Sequence, residues 1–92
     1  MTKYLGPPPK WRETDANGDP LVGGKIWTYA SGTTTPLATY ADADGVTPNT
    51  NPVILNASGE ADINFSDVLY KIVCMDSADV TQYTIDPYDP KP

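Results

Sequence analysis

The chain has 92 residues, among them ten prolines, seven glycines, one cysteine and no histidine, and it carries a net charge of -6 at neutral pH. A single domain of this length buries only about 60 to 65% of the surface its unfolded chain would expose, so its core is thin. Six basic residues against twelve acidic ones argue against nucleic acid as a partner, because phosphate binding needs clustered lysine and arginine.

The N-terminal stretch "MTKYLGPPPK" has no apolar run and no small-residue cleavage site, so no signal peptide is expected and synthesis in a cytoplasm is. No stretch of the chain approaches the roughly 18 consecutive apolar residues of a membrane span, and no membrane partner is expected. "GPPPK" favours an extended polyproline conformation. Residues 1–9, with Pro7, Pro8 and Pro9, are therefore expected to form an arm, followed by a folded domain over residues 10–86 that opens with a strand in "KWRETD".

The next stretch, "DANGDPLVGGKIWTY", places Asp15, Asn17 and Asp19 at alternate positions, which is how a calcium loop begins. A helix-flanked calcium loop also needs glycine at its sixth position and glutamate at its twelfth. Here those positions hold Pro20 and Ile26, and the motif fails. A weaker cation site on Asp15 and Asp19 is the alternative to an ordinary solvated turn. The turn reading gains from repetition: Asp42-Ala43-Asp44-Gly45, Asn56-Ala57-Ser58-Gly59 and a looser Asp76-Ser77-Ala78-Asp79 follow the same plan as Asp15-Ala16-Asn17-Gly18. In each, the first side chain can accept a hydrogen bond from the backbone two residues on, and the fourth residue tolerates positive φ. Gly23-Gly24 should let the next strand begin with an unusual backbone or a close approach to a neighbour.

Strands are predicted between the turns. "GKIWTYA" sets Ile26, Thr28 and Ala30 against Lys25, Trp27 and Tyr29; "TPLATYA" and "NPVILN" follow. "EADINF" alternates strictly, with Ala61, Ile63 and Phe65 on one face and Glu60, Asp62 and Asn64 on the other. "VLYKIVCM" divides Val68, Tyr70, Ile72 and Cys74 from Leu69, Lys71, Val73 and Met75, and "VTQYTID" completes the set. "DPYDPKP" should not continue a central strand, so residues 87–92 are read as a second extended arm, with Tyr88 in it. About seven short strands joined by turns predict an all-β antiparallel sandwich or barrel without helix, with Ile54, Ile63, Phe65, Tyr70 and Ile72 in its core.

Catalytic chemistry finds little here. Without histidine the commonest general base and metal ligand are missing. Cys74 lies in an apolar strand with no imidazole to activate it and reads as a buried, inert thiol. Asp42 and Asp44 lie in a turn without the apolar setting that would raise a carboxyl pKa. No enzyme, metal or cofactor is expected.

The blocks running from "DANGDPLVGGKIWTYASG" through "PLATYADADG" and "NPVILNASG" to "YKIV" occur in the order and spacing of a module that this chain resembles: the N-terminal virion-attachment part of bacteriophage tail fibre and tailspike proteins. The resemblance covers about residues 10 to 86. It implies a small β-sandwich, prealbumin-like in style and commonly trimeric, that fixes a fibre to the particle; the virion would be its location and other virion proteins its partners. In that family a long receptor-binding region usually follows, whereas this sequence ends at Pro92. A chain complete at that point would be the attachment module alone: a tail or collar adaptor, or a decoration (cement) protein of the shell.

A two-layer sandwich buries one side of each strand, yet residues 25–30 and 68–75 are apolar on both. The surplus predicts a contact with a second copy, in a trimer or ring, or with a larger virion protein. Trp27, Tyr29, Leu69, Val73 and Met75 are expected in that contact, with Pro7, Pro8, Pro9 and Tyr88 of the two arms lying along neighbours. A carbohydrate-binding platform of Trp27, Tyr29 and Tyr40 is the alternative use of the same rings.

Overall fold

A computed structural model of the chain describes residues 4–5, 11–42 and 44–90. The protein is all-β, a small antiparallel β-sandwich with no helix among these residues. Its strands are β1 (Tyr4–Leu5), β2 (Trp11–Arg12), β3 (Lys25–Ala30), β4 (Val53–Ile54), β5 (Glu60–Ala61), β6 (Asn64–Phe65), β7 (Tyr70–Met75) and β8 (Thr81–Tyr88). One layer is a four-stranded sheet in the order β4-β3-β7-β8; the other consists of two short ladders, β1 with β6 and β2 with β5.

Three of the four Asx turns form with the predicted bond from the residue two on, and Asp42 in the second turn bonds backbone groups four and five residues on instead. Oδ1 of Asp15 accepts from the N–H groups of Asn17 at 2.8 Å and Asp19 at 3.0 Å, Asn56 does the same for Ser58 and Glu60, and Asp76 for Ala78 and Val80. In the second turn Asp42 Oδ1 takes Val46 N–H at 2.9 Å. Positive φ at Gly18, Gly45, Gly59 and Asp79 closes each turn, giving the type I turn plus left-handed residue of a short hairpin loop. Asp15 N–H bonds the Asp19 carbonyl at 2.8 Å and Leu21 N–H bonds that of Glu13 at 3.1 Å, so the opening loop is a hairpin.

Gly23 and Gly24 serve both expected purposes. Gly23 has φ of 70°, and a Cβ on Gly24 would lie 2.8 Å from Leu21 Cδ2. The third turn is more confined still: a Cβ on Gly59 would come within 2.6 Å of the Glu13 carbonyl oxygen and 2.9 Å of Leu21 N. The third turn is thereby locked against the first hairpin, with Glu13 N–H donating to the Gly59 carbonyl at 2.9 Å.

Between the layers lie Trp11, Leu21, Ile26, Val53, Leu55, Ile63, Phe65, Tyr70, Ile72 and Cys74. Phe65 sits at the centre, its ring 5.1 Å from Tyr70, 5.1 Å from Tyr88 and 5.8 Å from Trp11. The buried Tyr70 hydroxyl donates to the Ala38 carbonyl at 2.7 Å and accepts Ser66 N–H at 3.0 Å, so neither it nor those backbone groups is left unpaired inside.

The structure corrects the sequence reading at several points. Ile54 is 52% exposed, while its neighbours Val53 and Leu55 are buried, because Val53 pairs with the inward-facing Ile26. Residues 35–41 form no strand. Leu37 N–H bonds the Thr28 carbonyl at 3.1 Å, whereas Tyr40 exchanges backbone bonds with Asn64; the segment crosses from one layer to the other instead of following one neighbour. "EADINF" breaks into β5 and β6, and Asn64, expected outside, is buried with its amide on the Tyr40 carbonyl. β7 begins only at Tyr70, leaving Val68 and Leu69 about half exposed.

Both expected arm boundaries are crossed as well. Tyr4 pairs with Phe65 and Leu5 with Asn64 inside the stretch read as an N-terminal arm. At the other end β8 runs through Pro87 to Tyr88, which pairs with Tyr70. An edge strand accepts proline because one side of its backbone needs no partner.

Candidate interaction surface

The four-stranded sheet has one face turned to the core and one turned away. Strand alternation puts Ile26, Thr28, Tyr70, Ile72 and Cys74 inside, each at most 1% exposed. It puts Lys25, Trp27 and Tyr29 outside, directly opposite Met75, Val73 and Lys71 respectively. Ile54 extends this outer face beyond Lys25, and Thr84 extends it beyond Val73.

The middle of the outer face is apolar. Trp27 and Tyr29 lie with rings nearly parallel, 7° apart in plane and 6.2 Å between centroids. Indole Nε1 of Trp27 is buried with no hydrogen-bond partner, an arrangement that native structures rarely leave without a reason. Cations flank the apolar centre: Lys71 Nζ stands 5.8 Å from the Tyr29 ring centroid, and Lys25 pairs with Asp79. Of the three basic side chains among the described residues, Arg12, Lys25 and Lys71, two lie on this face, although the chain as a whole is acidic.

Four of the residues expected at a contact, Trp27, Tyr29, Val73 and Met75, are thus brought together, all half-buried. Leu69 stands apart, before the start of β7. Tyr88 is placed elsewhere: its ring packs on Trp11 and Phe65 at the core margin, and burial raises its hydroxyl pKa. Pro7, Pro8 and Pro9 lie outside the described residues. Tyr40 is bridged to Pro48 and Asn64 and has no place beside Trp27 and Tyr29 in the strand pairing of the sheet. Ile54 was missed as part of the surface, whereas alternation already put Lys25 on the face of Trp27 and Tyr29. "NPVILN" carries no alternation that could have turned Ile54 outward, and the pairing with Lys25 is visible only in three dimensions.

Other polar groups are absorbed by the fold. Glu13 accepts from Trp11 Nε1 at 2.7 Å and from the Tyr83 hydroxyl; burial first, then this carboxylate, pushes the Tyr83 pKa up. Cys74 is fully buried, and burial with the nearby Glu13 charge pushes its thiol up to about 11. A thiol held protonated at neutral pH is a poor nucleophile. In the second turn, desolvation raises the Asp42 carboxyl, but the N–H groups of Val46, Thr47 and Gly45 outweigh it and hold the group below its ordinary value. A cleft of about 350 Å³ between the first and third turns is lined by Arg12, Thr14, Gly18, Pro20, Ala57 and Ser58. Its one charged lining group, Arg12, is taken up by Glu60 at 2.5 Å. Among the described residues no group of three or more His, Cys, Asp or Glu side chains could hold a metal ion.

Neither the known protein-family models nor the curated proteins contain a match to this chain.

Proposed function

We propose that the protein is a non-enzymatic attachment or adaptor module of a bacteriophage virion, docking on a tail, collar, fibre-base or capsid protein through the outer face of its four-stranded sheet. The observation that carries the docking half of this reading is the apolar row of Trp27, Tyr29, Val73 and Met75 on the side of the sheet away from the core. Sandwich strands normally alternate apolar-in with polar-out, and a sheet that spends tryptophan, tyrosine and methionine on its outer side has the composition of an interface centre. The viral half is supported by the order of the four sequence blocks and by the β-sandwich they form.

Trp27→Glu and Val73→Glu should each leave a folded protein that no longer co-purifies with particles, while Thr33→Glu, in the exposed turn after β3, should remain attached. Particles that retain both face variants at the wild-type level would reject this face as the docking surface.

A second reading has one observation in its favour. The near-parallel Trp27 and Tyr29 rings could bind the apolar face of a sugar, making the protein a carbohydrate-binding module. Quenching of Trp27 fluorescence by oligosaccharides, absent in Trp27→Phe, would favour it.

A further inference from the structure

The two edges of the four-stranded sheet are built differently. β4 is only two residues long and is closely preceded by Asn51, whose side-chain amide clasps the backbone of Thr28 on β3, accepting its N–H at 3.1 Å and donating to its carbonyl at 2.8 Å. That edge is short and partly capped. β8 at the other edge has eight residues, about 26 Å of strand at 3.3 Å per residue, and is mostly exposed.

Edge strands are usually protected by charge, especially lysine. β8 contains no lysine or arginine, and its one charged side chain, Asp86, is turned to the β3 end of the sheet: it accepts from Ser31 Oγ at 2.7 Å and from Gly32 N–H at 3.1 Å. Irregularities in the pairing with β7 lie toward both ends of the strand, leaving Tyr83, Thr84 and Ile85 in regular register with Cys74, Val73 and Ile72. On the inner side of this regular run Ile85 is still 36% exposed, so the second layer stops short of the edge.

We infer that β8 pairs with β8 of a second copy, antiparallel about a two-fold axis at Thr84, joining two four-stranded sheets into one of eight. The strand is self-complementary in this register. Tyr83 falls opposite Ile85 of the other copy, and Ile85 opposite its Tyr83, two aromatic and β-branched pairs on the inner face where Ile85 is uncovered. Gln82 falls opposite Asp86, whose carboxylate stays on Ser31 and Gly32, and Thr84 falls opposite Thr84. Pairs of these kinds stabilise antiparallel sheets, and no like charges meet. The contact uses the edge of the sheet and leaves its outer face free, so it stands or falls separately from docking on a virion.

Sedimentation velocity over a wide concentration range tests this. The wild-type chain of 9.9 kDa should reach twice that mass as concentration rises. Thr84→Lys and Thr84→Glu should each remain monomeric, since like charges meet on the axis, and an equimolar mixture of the two should recover the dimer. Should either variant fail to fold, amide exchange of the wild type supplies the answer: residues 82–86 should become protected with rising concentration while the other edge, 53–54, does not. A wild type that stays monomeric, a mass of three subunits, association unchanged in Thr84→Lys, or exchange of residues 82–86 independent of concentration would each overturn the proposal.

Discussion

The inner and outer faces of the same four-stranded sheet are made from the same two strands, one residue out of step. On the inner side Ile26, Ile72, Tyr70 and Cys74 are fully buried; on the outer side Trp27, Tyr29, Val73 and Met75 are comparably apolar yet only half-buried. Composition therefore does not distinguish the two, and covering does. The inner face is closed by the ladders of β1–β6 and β2–β5 and by the segments joining them, so its energetics belong to folding. The outer face has no second layer among the described residues, so its apolar surface contributes less to folding and is available for association.

If that division is right, mutations should sort by face. The largest loss is expected at the centre of the closed side: Phe65→Ala should cost about 3 to 5 kcal/mol, enough to leave a domain this small largely unfolded in a chemical denaturation series. Next comes the contact that locks the second layer. Gly59→Ala should cost about 2 to 3 kcal/mol from positive φ together with collision against the Glu13 backbone. Gly18→Ala shares the positive φ but meets nothing within 4 Å, and should lose visibly less in the same urea titration.

Tyr70→Phe sharpens the comparison without emptying the core. It leaves the Ala38 carbonyl and Ser66 N–H without their partner, and about 1 to 3 kcal/mol should be lost, read as a lower melting temperature with unchanged far-UV circular dichroism. On the open side Trp27→Ala should cost only about 1 kcal/mol. A loss at Trp27 equal to that at Phe65 would mean that the outer face is part of the folding core after all.

The smallest effect lies in the turns, away from either face, and concerns pH. Because the folded-state pKa of Asp42 is depressed below its ordinary 3.8, its contribution to stability is present above that value and is lost as pH falls through the folded pKa. The melting temperature should therefore decline on acidification below about pH 4. Asp42→Asn should show a shallower decline over that window, measured against the wild type.

Much of this was legible in the sequence because the turn chemistry is local. Asp15, Asp42, Asn56 and Asp76 each bond backbone groups two to five residues away, so a four-residue pattern suffices to locate them. The alternation of β7 likewise placed Tyr70, Ile72 and Cys74 inside. What escaped depends on distant partners. Ile54 turned outward because Val53 took the place opposite Ile26; Asn64 turned inward because Tyr40 lies beside it; and Tyr88 joined the core because β8 could carry Pro87 at an open edge. For the candidate surface, two-sided strands pointed to Trp27, Tyr29, Val73 and Met75, with Lys25 on the same face, whereas the place of Ile54 beside Lys25 emerges only from strand register.

Under the proposed virion role, the claim that the outer face is a docking surface is tested most directly by a map of an assembled particle that carries the protein. The account predicts that Trp27, Tyr29, Val73 and Met75 are covered there by a second protein of the particle. Those four side chains facing solvent on a particle where the protein is clearly placed would contradict it.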